Sequence, residues 1–223
     1  MTPHDFVETL AHMRFPDAFN PYCDACPHHD ADDAVHIRKT NLKLVLQAAL
    51  SRGVESIWIA RDLGYRGGRR TGLALTDEAH LAAHSGLYGA LELKRATLGP
   101  VMVERTATVI WQVLQDVGRP IFLWNVFPFH PHEPDDPLSN RCHSRHERLA
   151  SSHLIQWLVS ELQPRTLVAI GRDAQSALAD LRLPFEAARH PSYGGQREFL
   201  TQMERIYSLP QKRPQQTAFD MPA

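Results

Sequence analysis

The sequence predicts an α/β protein: a three-layer α/β/α sandwich around a mainly parallel sheet of about four strands. Short apolar runs rich in β-branched and aromatic residues recur at VESIWIA (54–60), PIFLWNVF (120–127) and TLVAIG (166–171), with a weaker one at PFEAARH (184–190). Amphipathic helical stretches separate them, the alternation that builds a parallel sheet covered on both faces. A chain of 223 residues, 43% of them hydrophobic, suits one such domain, expected over 1–209.

Each element has a local reason. Residues 5–13 place Phe6, Val7 and Leu10 on one side of a short helix, and 14–36 read as loop, rich in Pro, Asp, Cys and His. NLKLVLQAALSRG carries Leu42, Val45, Leu46, Ala49 and Leu50 at helical spacing, with Gly53 as its stop. The first strand follows, then a long loop over 61–75. A helix is expected from about Asp77 to Leu93 with Thr76 as its N-cap. Another spans 102–117, with Thr106, Val109, Ile110, Val113 and Val117 facing inward. After the second strand, HPHEPDDPLSNR is a proline-punctuated loop. Residues 146–163 align Ile155, Leu158, Val159 and Leu162 on a helix ahead of the third strand. RDAQSALADL is a short helix, and a final helix runs from about Gln196 to Tyr207. Residues 210–223 read as a disordered tail.

Composition narrows the setting. No apolar run approaches the length of a membrane span, and Met1–Leu10 lacks a basic region followed by an apolar stretch, so a cytoplasmic, unsecreted and monomeric protein is the expectation. A net charge of −1 neither supports nor excludes nucleic acid, but Arg61, Arg66, Arg69 and Arg70 crowd the glycine-rich stretch RDLGYRGGRR directly after a strand. Three cysteines are too few for a disulfide framework. Cys23 and Cys26 form a CxxC with His28 and His29 close behind, and Cys142 stands far downstream beside His143.

In open parallel sheets ligands bind at the carboxyl ends of the strands. The first strand leads into Arg61-Asp62, the second ends in Trp124-Asn125, and the fourth ends in His190-Pro191-Ser192. Alone, each is an ordinary turn or cap residue. Together they bring a carboxylate, an amide and an imidazole to one edge of the sheet.

The stretch ARDLGYRGGRRTGLALT resembles the first motif of the uracil-DNA glycosylase superfamily, in which a Gly-Gln-Asp-Pro-Tyr or Gly-Glu-Ala-Pro-Gly loop follows the first strand. FLWNVFPFHP resembles the central Asn motif, and RHPSYGGQREF the His-Pro-Ser loop. The likeness runs in order from residue 57 to 199. It implies a DNA glycosylase that flips a base out of DNA and cleaves its N-glycosidic bond. Asp62 would stabilise the sugar cation and position the attacking water, and His190 would donate to O2 of the departing pyrimidine, each worth roughly 3 kcal/mol. Asn125 would read the flipped base, within a pocket formed with Gly64, Tyr65, Leu75 and Phe127. Arg66, Arg69, Arg70 and Ser192 would hold the DNA backbone, and Tyr193, Gln196 or Arg197 would fill the gap in the stack.

The departures from the family pattern point to the substrate. Gly64 stands where the common form has a tyrosine that excludes 5-substituted pyrimidines, Leu75 replaces a base-stacking phenylalanine, and Leu63 replaces a proline. The wedge, Tyr193-Gly194-Gly195-Gln196-Arg197, lacks the usual leucine. These changes imply tolerance of a pyrimidine bulkier than uracil, such as a hydroxymethylated or glucosylated cytosine of phage DNA. Some family members hold an iron–sulfur cluster through a CxxC and two later cysteines. Here Cys23, Cys26 and Cys142, with a histidine, would make such a site or a structural zinc site; packed free thiols are the alternative. Catalysis itself calls for no cofactor. Two other readings stay open: a catalytically weak or covalent-capture DNA binder on the same fold, and a doubly wound nucleotide-binding enzyme. The latter lacks GxGxxG or a Walker-type GK[ST] in RDLGYRGG.

Overall fold

The computed structural model describes residues 1–210. The tail expected over 210–223 lies outside the described residues except for Pro210. A four-stranded sheet, all parallel, has the order β3-β2-β5-β6, with β2 Ser56–Asp62, β3 Ile121–Phe127, β5 Thr166–Ile170 and β6 Glu186–Ala188. A small antiparallel pair, β1 Ala18–Phe19 and β4 His130–Pro131, lies apart from it.

Side chains alternate across the sheet with period two, and each face builds its own core. Ile57, Ile59, Phe122, Trp124, Leu167 and Ala169 pack with α1 Pro3–His12, α2 Ala34–Arg52, α6 Arg145–Leu162 and α7 Arg172–Asp180. Trp58, Ala60, Ile121, Leu123, Val168 and Ile170 pack with α5 Arg105–Val117 and α8 Gln196–Tyr207. The three-layer expectation therefore holds.

Helix boundaries depart from the sequence reading for physical reasons. The second helix begins at Ala34, not Asn41, because its first turns bury polar residues that break the apolar period. Arg38 is fully buried, its Nη2 2.7 Å from Asp30 Oδ2. Asn41 bonds both backbone groups of Lys94, donating from Nδ2 at 2.7 Å and accepting at Oδ1 at 2.9 Å. The helix expected from Asp77 to Leu93 is a 3-10 turn, Glu78–His80, followed by α4 Leu81–Leu87. Asp77, not Thr76, caps that turn, accepting from His80 N. The chain then leaves helical geometry at Gly89 and Ala90, with φ of +76° and +65°. Four residues of the expected long loop form α3, Gly68–Thr71. In α5 the buried stripe is Ala107, Ile110, Trp111, Val113, Leu114 and Val117, so Thr106 and Val109 are turned partly outward. No helix among the described residues is long and apolar enough to cross a membrane.

Two buried histidines tie stability to pH. Burial pushes His84 and His130 down to about 3. Arg69 Nη1 donates to His130 Nδ1 at 3.2 Å, and Nε2 lies 2.7 Å from the Ser139 carbonyl oxygen, so this ring is held neutral with its proton on Nε2. Their folded values lie below the unfolded 6.5, so the unfolded chain takes up protons first as the pH falls. Stability contributed by each is complete above pH 6.5 and declines below it, by about 3 kcal/mol per residue at pH 4. Urea midpoints between pH 6.5 and 4 check this. His130→Gln, which keeps an acceptor and a donor but cannot titrate, is expected to give the shallower slope; equal slopes would remove His130 from the acid response.

Candidate active site

The order β3-β2-β5-β6 sends the chain from β2 to one side and then back to the other. The direction reverses between β2 and β5, and at such a point the strand ends diverge and leave a crevice. A cleft of about 340 Å³ lies there. Its walls come from the end of β2 (Ala60 to Gly64), the end of β5 (Ile170 to Asp173) and the loop after β6 (Arg189, His190, Ser192, Tyr193). Gly68, Leu75, Glu104, Thr106, Asn140 and Arg141 complete them.

Asp62 is the last residue of β2, and its carboxyl side chain is 4% exposed. Arg61 Nε donates to Oδ2 at 2.6 Å, and His143 Nδ1 bonds Oδ1. Both oxygens are held, so the carboxylate cannot rotate freely. His143 itself is buried, its ring 6.1 Å from that of Phe127, and the next residue, Ser144, starts α6 with a capping box to Glu147.

His190 stands on the same cleft. Ser192 N donates to its Nδ1 at 3.3 Å, and Ser192 Oγ lies 2.7 Å from that nitrogen. An Nδ1 that accepts a backbone N–H bears no proton, so the neutral ring carries its proton on Nε2. Among the described residues Nε2 has no hydrogen-bond partner, leaving this N–H free for a ligand. Burial, then the cations Arg61 and Arg189, pushes His190 down to about 4, with Asp173 opposing. The ring is therefore a neutral donor at pH 7.

The structure relocates several residues expected at the site. Asn125 lies on β3, on the far side of β2 from the cleft, opposite Ala60 in register. Its Nδ2 donates to the Asp62 carbonyl oxygen at 3.1 Å, and its Oδ1 is buried without a partner. It braces the end of β2 and is not on the cleft wall. Phe127 is fully buried, its ring 5.1 Å from Phe15 and 5.1 Å from Phe129 in edge-on contacts, so it is a core residue. Tyr65 lies off the wall; its hydroxyl accepts from Arg66 Nε at 2.7 Å and its backbone N donates to Asn140 Oδ1 at 3.1 Å.

Arg69 and Arg70 are buried and engaged inside the protein. Arg69 stacks on Phe19 at 4.0 Å and bonds the Pro137 carbonyl oxygen; Arg70 Nε is 3.1 Å from Glu78 Oε1, and its Nη2 is 3.0 Å from Thr97 Oγ1. Neither is presented at the surface; their guanidinium groups are held by internal acceptors. The exposed arginines around the site are Arg66, Arg172 and Arg189. Gly64, Leu75, Ser192 and Tyr193 do line the cleft. Tyr193 is 98% exposed with φ +50°, an aromatic ring standing in solvent on a strained turn. Gln196 and Arg197 are exposed in the first turn of α8, beyond the wall.

The cysteines do not converge on a metal. Cys26 Sγ contacts His29 Nδ1 at 3.5 Å, Cys23 Sγ contacts Asp24 Oδ1 at 3.4 Å, and Cys142 lies instead with Asp62 and His143. That last trio is the one group of three acidic, Cys or His ligands within mutual reach among the described residues. Its Asp62 and His143 atoms are bonded to each other, and the Arg61 cation occupies the second carboxylate oxygen. The donor set fits neither the expected cluster nor a zinc site drawn from Cys23, Cys26 and Cys142.

Glu104 and Asn140 escaped the sequence reading, and His143 entered it only as a candidate metal ligand beside Cys142, not as the partner of Asp62. Each lies more than forty positions from Asp62 or in a loop that reads as turn, and no motif flags them. Glu104 is held above the ordinary range, at about 7, by burial and the neighbouring Asp77 carboxylate, with Arg66 opposing.

No family profile and no curated protein sequence matches the chain. A solved structure does. The chain shares its fold with SMUG2 of Pedobacter heparinus. The TM-score is 0.60 over 93% of this chain and 96% of that one, at 13% identity. At that identity the likeness is one of fold.

Proposed function

We propose that the protein is a DNA glycosylase that flips a pyrimidine out of DNA and hydrolyses its N-glycosidic bond. The observation that carries this is a fixed carboxylate, Asp62, and a neutral imidazole with a free Nε2–H, His190, on the walls of one cleft at the switch point of the sheet. The shared fold with SMUG2, a member of the uracil-DNA glycosylase superfamily, supports it.

The bond between C1′ and the base nitrogen breaks with its electron pair leaving on the base. Positive charge develops on the sugar and negative charge on the base. Asp62 faces the first charge and holds the water that adds to C1′; His190 donates from Nε2 to O2 of the base as it becomes an anion. The water loses one proton, and the departing base gains one. Arg66, Arg172 and Arg189 supply attraction to the phosphates in place of Arg69 and Arg70, and the solvent-standing ring of Tyr193 fills the gap left in the stack.

The substrate reading is uracil or a pyrimidine larger at C5, including hydroxymethylated or glucosylated cytosine of phage DNA, which would make the protein an antiphage enzyme. Duplexes carrying uracil, thymine, 5-hydroxymethylcytosine, glucosylated cytosine or cytosine, incubated with the protein and cleaved at abasic sites by alkali, test both levels. Release of a modified base is expected. Release of uracil alone would limit the pocket to the smallest pyrimidine, and release of none would end the glycosylase reading.

A further inference from the structure

Glu104 is the cleft residue that neither the hydrolysis nor the packing uses. It occupies the N-cap position of α5, where a short polar side chain ordinarily accepts a first-turn N–H, yet its side chain caps nothing. The carboxyl turns instead toward the loop that follows Asp62. A Cβ on Gly64 would stand 3.0 Å from Oε1, and a Cβ on Gly67 would overlap Oε2. The absence of side chains at these two positions therefore leaves room for this carboxyl.

Its partners are missing. Among the described residues no group donates a hydrogen bond to either carboxyl oxygen. The nearby Asp77 is itself engaged, accepting from Glu104 N at 2.6 Å and from His80 N at 3.0 Å. Arg66 attracts the carboxyl only at a distance and bonds Tyr65 through Nε. A half-buried carboxyl on a cleft wall, with no donor from the protein, is left open to one from a ligand.

We propose that Glu104 is a specificity-determining residue: it accepts a hydrogen bond from a hydroxyl donor on the C5 substituent of the flipped base that enters beside Gly64. This rests on the glycosylase reading and refines it. The space left by Gly64 is not simply open; its polar wall favours a substituent that donates over a methyl group of similar size. A modified pyrimidine bearing a hydroxyl is the matching class.

Binding without cleavage tests it. Duplexes with a 2′-fluoro sugar at the target nucleotide keep the glycosidic bond, because fluorine destabilises the cationic transition state. Affinities are compared for 5-hydroxymethylcytosine and 5-methylcytosine, which differ by one hydroxyl. The protein is expected to prefer the hydroxyl-bearing duplex by at least about tenfold. Glu104→Leu should lose that preference, and Glu104→Gln, whose amide oxygen still accepts, should keep part of it. Binding of unmodified DNA should shift alike in Glu104→Leu and Glu104→Gln, which lose the same charge, and its retention also reports that each variant is folded. A preference that persists in Glu104→Leu, or an equal loss on both duplexes, overturns the role of Glu104 while leaving the glycosylase reading intact. Should the protein bind neither modified duplex more tightly than unmodified DNA, the role of Glu104 falls, and base release from the uracil duplex decides the glycosylase reading separately.

Discussion

Asp62→Asn is expected to lower the rate of base release by about 10²–10³-fold while leaving the fold and DNA binding in place. The replacement has the same shape and sits where the side chain is 4% exposed, so packing changes little. The electrostatics change sign. In the native protein the carboxylate offsets Arg61, whose Nε lies 2.6 Å from Oδ2. Removing that charge leaves a guanidinium facing the point where the sugar becomes positive, which penalises the transition state and not the bound ground state. The loss should therefore fall on kcat. His143 belongs to the same device, because it holds the other carboxylate oxygen. His143→Ala should lower kcat on the order of tenfold with KM unchanged, and His143→Asn, which restores a donor near the Nδ1 position, should recover part of it. Single-turnover release and fluorescence anisotropy on the same duplex separate the two quantities. Full activity in Asp62→Asn would remove this residue from the chemistry.

His190→Ala is expected to cost about 10²–10³-fold in kcat, since it deletes a preorganised donor to the leaving base. The form of the pH profile is the sharper test. Burial and the cations Arg61 and Arg189 hold His190 near 4, so it stays neutral as the pH falls through 6.5, where an ordinary histidine gains a proton. No change in the rate of release at saturating DNA should be traceable to His190 between pH 8 and pH 5. A limb near 6.5 that vanishes in His190→Ala would show an ordinary, solvated histidine there. Ser192→Ala offers a milder check. It leaves the backbone N–H on Nδ1 and removes only the hydroxyl 2.7 Å away, so the tautomer survives and the loss should be small.

Asp62 and His190 could be read from the sequence because each lies at or just after the end of a strand, apolar for Asp62 and short and weakly patterned for His190, and the alternation of strands and helices fixes which ends share an edge. Asn125 was read as a strand end too, but β3 runs on to Phe127, and Asn125 misses the cleft wall. It sits on the strand at the other side of β2, and nothing in a linear sequence tells which side of β2 the crevice opens on. Arg69 and Arg70 read as contacts to the DNA backbone because they crowd a glycine-rich stretch directly after a strand. In the fold that stretch closes into α3, and both side chains turn inward to Phe19, Glu78 and Thr97. The early start of α2 was hidden for a related reason: Arg38 and Asn41 are buried through specific partners and so break an apolar period that assumes buried means hydrophobic.

Gly64 shows how far each level of description reaches. As a letter it signified vacant space beside Asp62, hence a wider pocket. The fold brings Glu104, forty positions downstream, against that glycine and turns vacancy into a polar wall. Local pattern alone determined the α/β class, the strands and the strand ends that carry Asp62 and His190, because hydrophobic period and strand propensity act between near neighbours. The side of β2 on which the cleft opens, the inward turn of the two arginines, the grip of His143 on Asp62 and the carboxyl beside Gly64 were decided by tertiary structure. Each is a contact between residues distant in sequence, and such contacts exist only after the sheet order has chosen which strand ends stand side by side.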